Sequence, residues 1–208
     1  MKMKKIKITA LLTLIMLISA CSSYSVDTTR TTFYQDQLTT TGSIYIATAE
    51  GLPNNSLELA SYKQKIANKL NTVGYRVISD MTQADYIATI DYGINEGNTY
   101  IVTIPDTRPR SRLIHRGKFA RIQHRDRHKK INSPTSNIVT TYNRVLALDI
   151  SNAQDNSKVY ESQVTSIGEC EIMAGVFEQL LEAMFTDFPG ENGKIRKASI
   201  PYQGECNE

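Results

Sequence analysis

Apolar residues recur along this chain at two spacings, and these divide it into strands and helices. Ile44 to Thr48 has the length and composition of a short strand. Asn55 with Glu58 three residues on has the form of a capping box. Leu59, Tyr62, Ile66, Leu70 and Val73 then repeat at helical spacing, and Gly74 stands where a helix C′ residue belongs. Tyr75 to Ile78 reads as a strand. Ala84, Tyr86, Ala88, Ile90 and Tyr92 alternate with Asp85, Ile87, Thr89 and Asp91, which predicts a half-buried strand. Asn95-Glu96-Gly97-Asn98 reads as a turn, with Thr99 to Ile104 as the strand returning from it. Ile138 to Ile150 and Lys158 to Thr165 are two more strands, separated by polar residues 151–157. Ile172, Met173, Val176, Phe177, Leu180, Leu181, Met184 and Phe185 form the apolar side of a second helix, which Phe188-Pro189-Gly190 ends. The stripe that holds Met173, Phe177, Met184 and Phe185 reads as core. Ile195 to Ile200 adds a last edge strand. The pattern predicts an α+β fold: a two-layer sandwich of a mostly antiparallel sheet with two helices on one face.

The two ends depart from this pattern. Lys2, Lys4, Lys5 and Lys7 precede an apolar run from Ile8 to Ile18, too short to span a bilayer, and Ser19-Ala20-Cys21 follows. A charged start, a short apolar middle and small residues at a cleavage site make a secretory leader over 1–20. A cysteine directly after that site resembles the bacterial lipoprotein box, with Ile18 where Leu is usual. The resemblance implies cleavage before Cys21 and lipidation of its thiol. Ser22 after it implies, by analogy with lipoprotein sorting, an outer-membrane lipoprotein facing the periplasm. Of the 22 residues 22–43, eleven are Ser or Thr. That composition predicts a flexible tether over 21–43, reaching about 25 Å, ahead of a single domain over 44–202 and a tail over 203–208.

Cysteines and charge follow from the compartment. With Cys21 lipidated, Cys170 and Cys206 remain, and an oxidising envelope favours a disulfide between them over two free thiols. A metal pair lacks C-x-x-C spacing. The hydrophobic fraction of 40% suits one domain with a modest core. Loss of the leader removes four of the 24 basic residues and none of the 21 acidic ones, so the mature chain falls from +3 to −1. Bulk charge therefore indicates no partner.

Gly74-Tyr75-Arg76-Val77, Ala84-Asp85-Tyr86-Ile87, Asp91-Tyr92-Gly93 and the late Phe188-Pro189-Gly190 with Gly193-Lys194 resemble a group of bacterial envelope lipoproteins that share a domain of unknown function. The architecture is more loosely similar to the amino-terminal domain of TolB and to the curli-secretion lipoprotein. The resemblance implies a fold and a compartment, and no catalytic residues.

The charge is distributed unevenly. Arg108, Arg110, Arg112, Arg116, Lys118, Arg121, Arg125, Arg127, Lys129 and Lys130 share the segment 108–130 with one acid, Asp126. That gives +9 in 23 residues and leaves −10 for the rest of the mature chain. Leu113, Ile114, Phe119 and Ile122 interleave with the charges. The segment reads either as a solvated loop or as an anion-docking element. Anionic lipid, lipopolysaccharide and cell-wall polymers are the partners the compartment offers, beside an envelope protein. A single aromatic residue, Phe119, argues against a dedicated nucleic-acid role.

Chemistry finds little support. His115, His124 and His128 lie among these cations, whose field opposes a metal ion and depresses the imidazole pKa values. No P-loop, nucleophile elbow, zinc-protease or dinucleotide-binding motif is present, and no cofactor is implied. Glu169 and Glu171 beside Cys170 disfavour a thiolate. Asp85 and Asp91 are about 20 Å apart along one strand, too far to share a proton. The expectation is a lipid-anchored binding or scaffolding protein, not an enzyme. The alternatives are an accessory of envelope assembly or secretion, and a hydrolase without a recognisable motif.

Overall fold

The computed structural model describes residues 24–36, 38–53, 55–104, 135–202 and 206. In chain order its elements are β1 (Ser25–Tyr34), β2 (Gly42–Thr48), α1 (Leu57–Thr72), β3 (Tyr75–Ile78), a 3-10 turn (Met81–Gln83), β4 (Tyr86–Ile94), β5 (Asn98–Ile104), β6 (Thr135–Asn152), β7 (Lys158–Gly168), α2 (Met173–Phe185) and β8 (Lys194–Pro201). The strands form one open sheet in the order β3-β2-β4-β6-β7-β1-β8, and β5 pairs with β6. β2 runs parallel to β3 and β4, and every other pairing is antiparallel. The α+β class and the mostly antiparallel sheet are as expected.

Alternate residues of the strands in the body of the sheet face the helices. Ile44, Ile46, Ala88, Ile90, Leu146, Leu148, Ile150 and Val164 form that side of the core, together with Leu59, Tyr62, Ile66 and Leu70 from α1 and Val176, Phe177, Leu180 and Leu181 from α2. The stripe expected to be core is core: Met173, Phe177, Met184 and Phe185 are all buried. The helices meet where Tyr62 stacks on Phe177, with centroids 3.6 Å apart and planes 5° apart, while Tyr92 meets Tyr62 edge-on. Burial pushes the Tyr62 phenol above its ordinary pKa, and it donates to Glu58 Oε1 at 2.6 Å. Lys65 with Glu178 and Lys69 with Glu182 pair across the same seam in solvent, where each pair contributes little.

Three expectations are corrected. The stretch assigned to a flexible tether contains β1, an interior strand with eight residue pairs to β8 and seven to β7. Threonine is polar, yet its branched Cβ suits a pleated sheet. Its hydroxyls also find partners: Thr28 donates to the Ala198 carbonyl at 2.9 Å, and Thr32 lies 3.1 Å from Ser162 Oγ. The residues after β1 are held too, for Tyr75 donates to the Thr39 carbonyl at 2.7 Å. The folded unit thus takes in residues assigned to a leash.

The second correction concerns β5, which does not return alongside β4. It continues in the same direction along β6: Ile94 lies opposite Arg144, and Asn98 opposite Thr141. Three residues, 95–97, therefore face two, 142 and 143, which is a bulge. Asn95 builds it, its N–H donating to the Asn143 carbonyl and its side-chain oxygen accepting from the Asn143 N–H at 2.8 Å. Gly97 takes φ +90° there, and a Cβ on it would lie 2.8 Å from the Tyr142 ring. The third correction is small. Ser56, not Asn55, caps α1, its Oγ accepting from the Leu59 N–H. Gly74 follows with φ +111°, as its place after the helix requires.

Candidate functional site

The registers bring several features to one end of the sheet. β1 begins there at Ser25, opposite Pro201 at the finish of β8. β7 finishes there at Gly168, opposite Tyr142 of β6. α1 and α2 both start at this end. β6 does not stop at Tyr142 in that direction. Among the described residues Thr135–Thr141 pair only with β5, and they run past the body as a two-stranded arm about 24 Å long at strand rise.

Both faces of this arm are open to solvent among the described residues. Ile101 and Ile138 are directly paired on one face at 69% and 74% exposure, beside the Thr99–Thr140 hydroxyl contact of 2.9 Å. Tyr100 and Val102 are exposed on the other face. Thr99 to Ile104 carries apolar residues at both parities, a pattern that ordinarily marks a strand covered on both sides. That signal lay in the sequence. The projecting position did not.

At the root of the arm lies a concavity of about 220 Å³ between Tyr24, Asp27, Arg144, Glu169 and Tyr202. Its wall includes the Cys170–Cys206 disulfide, which joins the tail to the residues ahead of α2 as expected. Gly175 in the first turn of α2 makes room for the bridge, since a Cβ there would lie 2.5 Å from Cys206 Sγ. Arg144 is buried and donates to Ser166 Oγ at 2.9 Å and to the Cys170 carbonyl at 3.4 Å. Tyr142 donates to Glu171, which holds the phenol above its ordinary pKa. The lining combines one buried cation with acids at the rim, and its cysteines are oxidised. With both cysteines in the bridge, neither is free to act as a thiolate.

The remaining predicted site residues fall differently. Asp85, expected to bond within a turn rather than to share a proton with Asp91, joins two strand starts instead. Ser43 donates to its carboxylate through both N–H and Oγ at 2.7 Å, clamping the starts of β2 and β4 and holding the carboxyl below its ordinary pKa. Cys21, the ten basic residues from Arg108 to Lys130 and the three histidines lie outside the described residues. The arm strands end at Ile104 and Thr135, the points from which that basic segment departs. Among the described residues no group of three or more His, Cys, Asp or Glu could hold a metal ion, and no helix is long and apolar enough to cross a membrane.

Fold and site define an α+β sheet protein with both helices on one face and a β-arm projecting from one end. The chain belongs to the family described as a domain of unknown function, DUF4136, which it matches over residues 18–190. That span includes β1, so the family's unit starts ahead of this strand. No curated protein matches the chain. Among solved structures, a PDZ domain protein from Parabacteroides distasonis ATCC 8503 is 11% identical with a TM-score of 0.41, over 84% of this chain and 39% of that one. The chain thus spans well under half of that protein. A putative neuraminyllactose-binding hemagglutinin homolog from Helicobacter pylori is 10% identical with a TM-score of 0.29, over 69% of this chain and 75% of that one.

Proposed function

We propose that this protein is a lipid-anchored module of the bacterial envelope that binds or scaffolds rather than catalyses, with its basic segment docking an anionic envelope component. The observation that carries the reading is the shared end. β1 begins at Ser25, four residues after Cys21, and the arm leaves the sheet on that same side. Four residues span at most about 14 Å, so a lipid on Cys21 holds that end of the sheet close to the bilayer. The arm then carries the attachment points of the basic segment on the membrane-proximal side. Each Lys or Arg at an anionic surface contributes about 1 kcal/mol, so ten of them make a strong, salt-sensitive contact.

Mass spectrometry of the amino-terminal peptide tests the anchor, and an unmodified Cys21 refutes it. Replacing the ten basic residues with Gln tests the docking. Binding to anionic vesicles and to cell-wall sacculi is expected to fall and to lose its salt dependence. A defined protein complex that survives the replacement would instead favour an accessory role in envelope assembly.

A further inference from the structure

We infer that the arm itself is a membrane-contact element: Ile101 and Ile138, with Tyr100 and Val102 behind them, bed into the interfacial layer of an anionic bilayer. The inference rests on the proposed acylation of Cys21 for its orientation, and it goes beyond the basic segment by assigning a role to described residues.

Three observations carry it. The first is where apolar surface remains. Of the eleven large apolar side chains left exposed among the described residues, eight sit at the arm end, including Tyr24, Ile101, Ile138, Ile167 and Ile172. Exposed apolar side chains scattered singly need no explanation, but a concentration on one side does. The second is that the arm carries exposed apolar side chains on both faces, Ile101 and Ile138 on one and Tyr100 and Val102 on the other, among Thr, Ser and Asn residues. A groove on a protein covers one face of a ribbon and leaves the other wet. A lipid phase covers both. A two-stranded ribbon is also marginal alone in water, so contact of this kind would stabilise it. The third is charge. Residues 105–134, which join the two arm strands, carry ten basic and two acidic residues, a net +8 in sequence complementary to anionic headgroups, while Tyr100 is a residue type favoured at the membrane–water interface.

The same chemistry limits the depth. Among the described residues β5 and this part of β6 pair only with each other, and their outer edges leave backbone N–H and C=O groups that hydrocarbon cannot satisfy. Ten cations cannot cross the bilayer. The arm therefore lies along the headgroup–acyl boundary and does not span.

The test uses the acylated protein in vesicles of phosphatidylethanolamine and phosphatidylglycerol, with a polarity-sensitive probe on Ile138→Cys and a control probe on Asp155→Cys at the opposite end of the sheet. The expected result is a blue shift at 138, quenching by a shallow lipid-borne nitroxide and several-fold protection from aqueous iodide, with no change at 155. In a Cys21→Ser protein, Ile101→Asp with Ile138→Asp is expected to lower vesicle partitioning roughly tenfold, with near-ultraviolet circular dichroism unchanged. If Cys21 is acylated and the 138 probe stays as open to iodide as in solution, the arm inference is overturned while the anchor stands. If the probe is buried without acylation, the anchor reading fails and the arm inference survives. Protection that appears without vesicles and tracks protein concentration would assign the arm to contact between two copies and overturn the inference.

Discussion

Arg30 takes a full charge into the core beneath α2 and remains only 3% exposed. Its Nη1 donates to the Ala183, Met184 and Thr186 carbonyls at 3.0, 2.9 and 2.6 Å, so a strand side chain caps the C-terminus of the helix packed on it. Burial lowers its pKa without threatening the charge of a guanidinium. Gly190, at φ +90°, leaves space for the group, because a Cβ there would lie 2.6 Å from Nη2. Replacing Arg30 with Met should cost about 2–3 kcal/mol, read as a lower urea midpoint, since bonds from a charged donor to buried carbonyls are lost. Asp85 gives a pH signature. Its folded pKa lies below the ordinary 3.8, so the stability it contributes is complete well above that value and is lost as pH falls through the folded one. Asp85→Asn should therefore lower the midpoint at pH 7. The gap to the parent protein should narrow below pH 3.8 and close once the Asp85 carboxyl is protonated in both states.

At the scale of elements, the helix pair depends on one aromatic contact. The stacked Tyr62–Phe177 pair is fully enclosed, and Phe177→Ala should cost about 3–5 kcal/mol by equilibrium unfolding, from lost burial and the cavity left behind. The arm depends instead on its bulge. Ala at Gly97 would meet Tyr142 and Thr140 while occupying a positive φ, so Gly97→Ala should loosen the arm. Hydrogen exchange is the measurement: the amides of Asn98–Ile104 should lose protection while those of α1 keep theirs. Equal loss in both would show that the arm does not open on its own.

For the whole molecule, the start of β1 and the residues after β8 meet at one place. Tyr202 N–H donates to the Tyr24 carbonyl at 2.6 Å, and Cys170–Cys206 closes a loop of separation 36 beside them. On the chain-entropy account a loop of that size contributes about 4 kcal/mol. Reduction, or Cys206→Ser, should lower unfolding stability by roughly that amount and free the tail for proteolysis after Tyr202. With β1 built into the sheet, a lipidated Cys21 would be a short strap, so the body should sit at a narrow range of heights and tilts above a membrane.

Where burial repeats at a local period, the sequence alone determined the outcome. Leu59, Tyr62, Ile66 and Leu70 at helical spacing, the alternation from Tyr86 to Tyr92, and a Phe- and Met-rich last helix are each sufficient to place an element, because one buried face imposes one period. The α+β class follows from that, and so does the disulfide, once secretion is inferred. Strand β1 was not legible. Its stability comes from neighbours more than a hundred residues away, and a Thr-rich run with a buried Arg has no local hydrophobic signal. The direction of β5 was hidden for a related reason: Asn95-Glu96-Gly97 suits a reversal as well as a bulge, and only pairing with Asn143 decides between them. That β1 begins at the end of the sheet from which the arm projects belongs to the tertiary structure entirely. Strand order and register are properties of long-range hydrogen bonding, which local residue patterns do not encode.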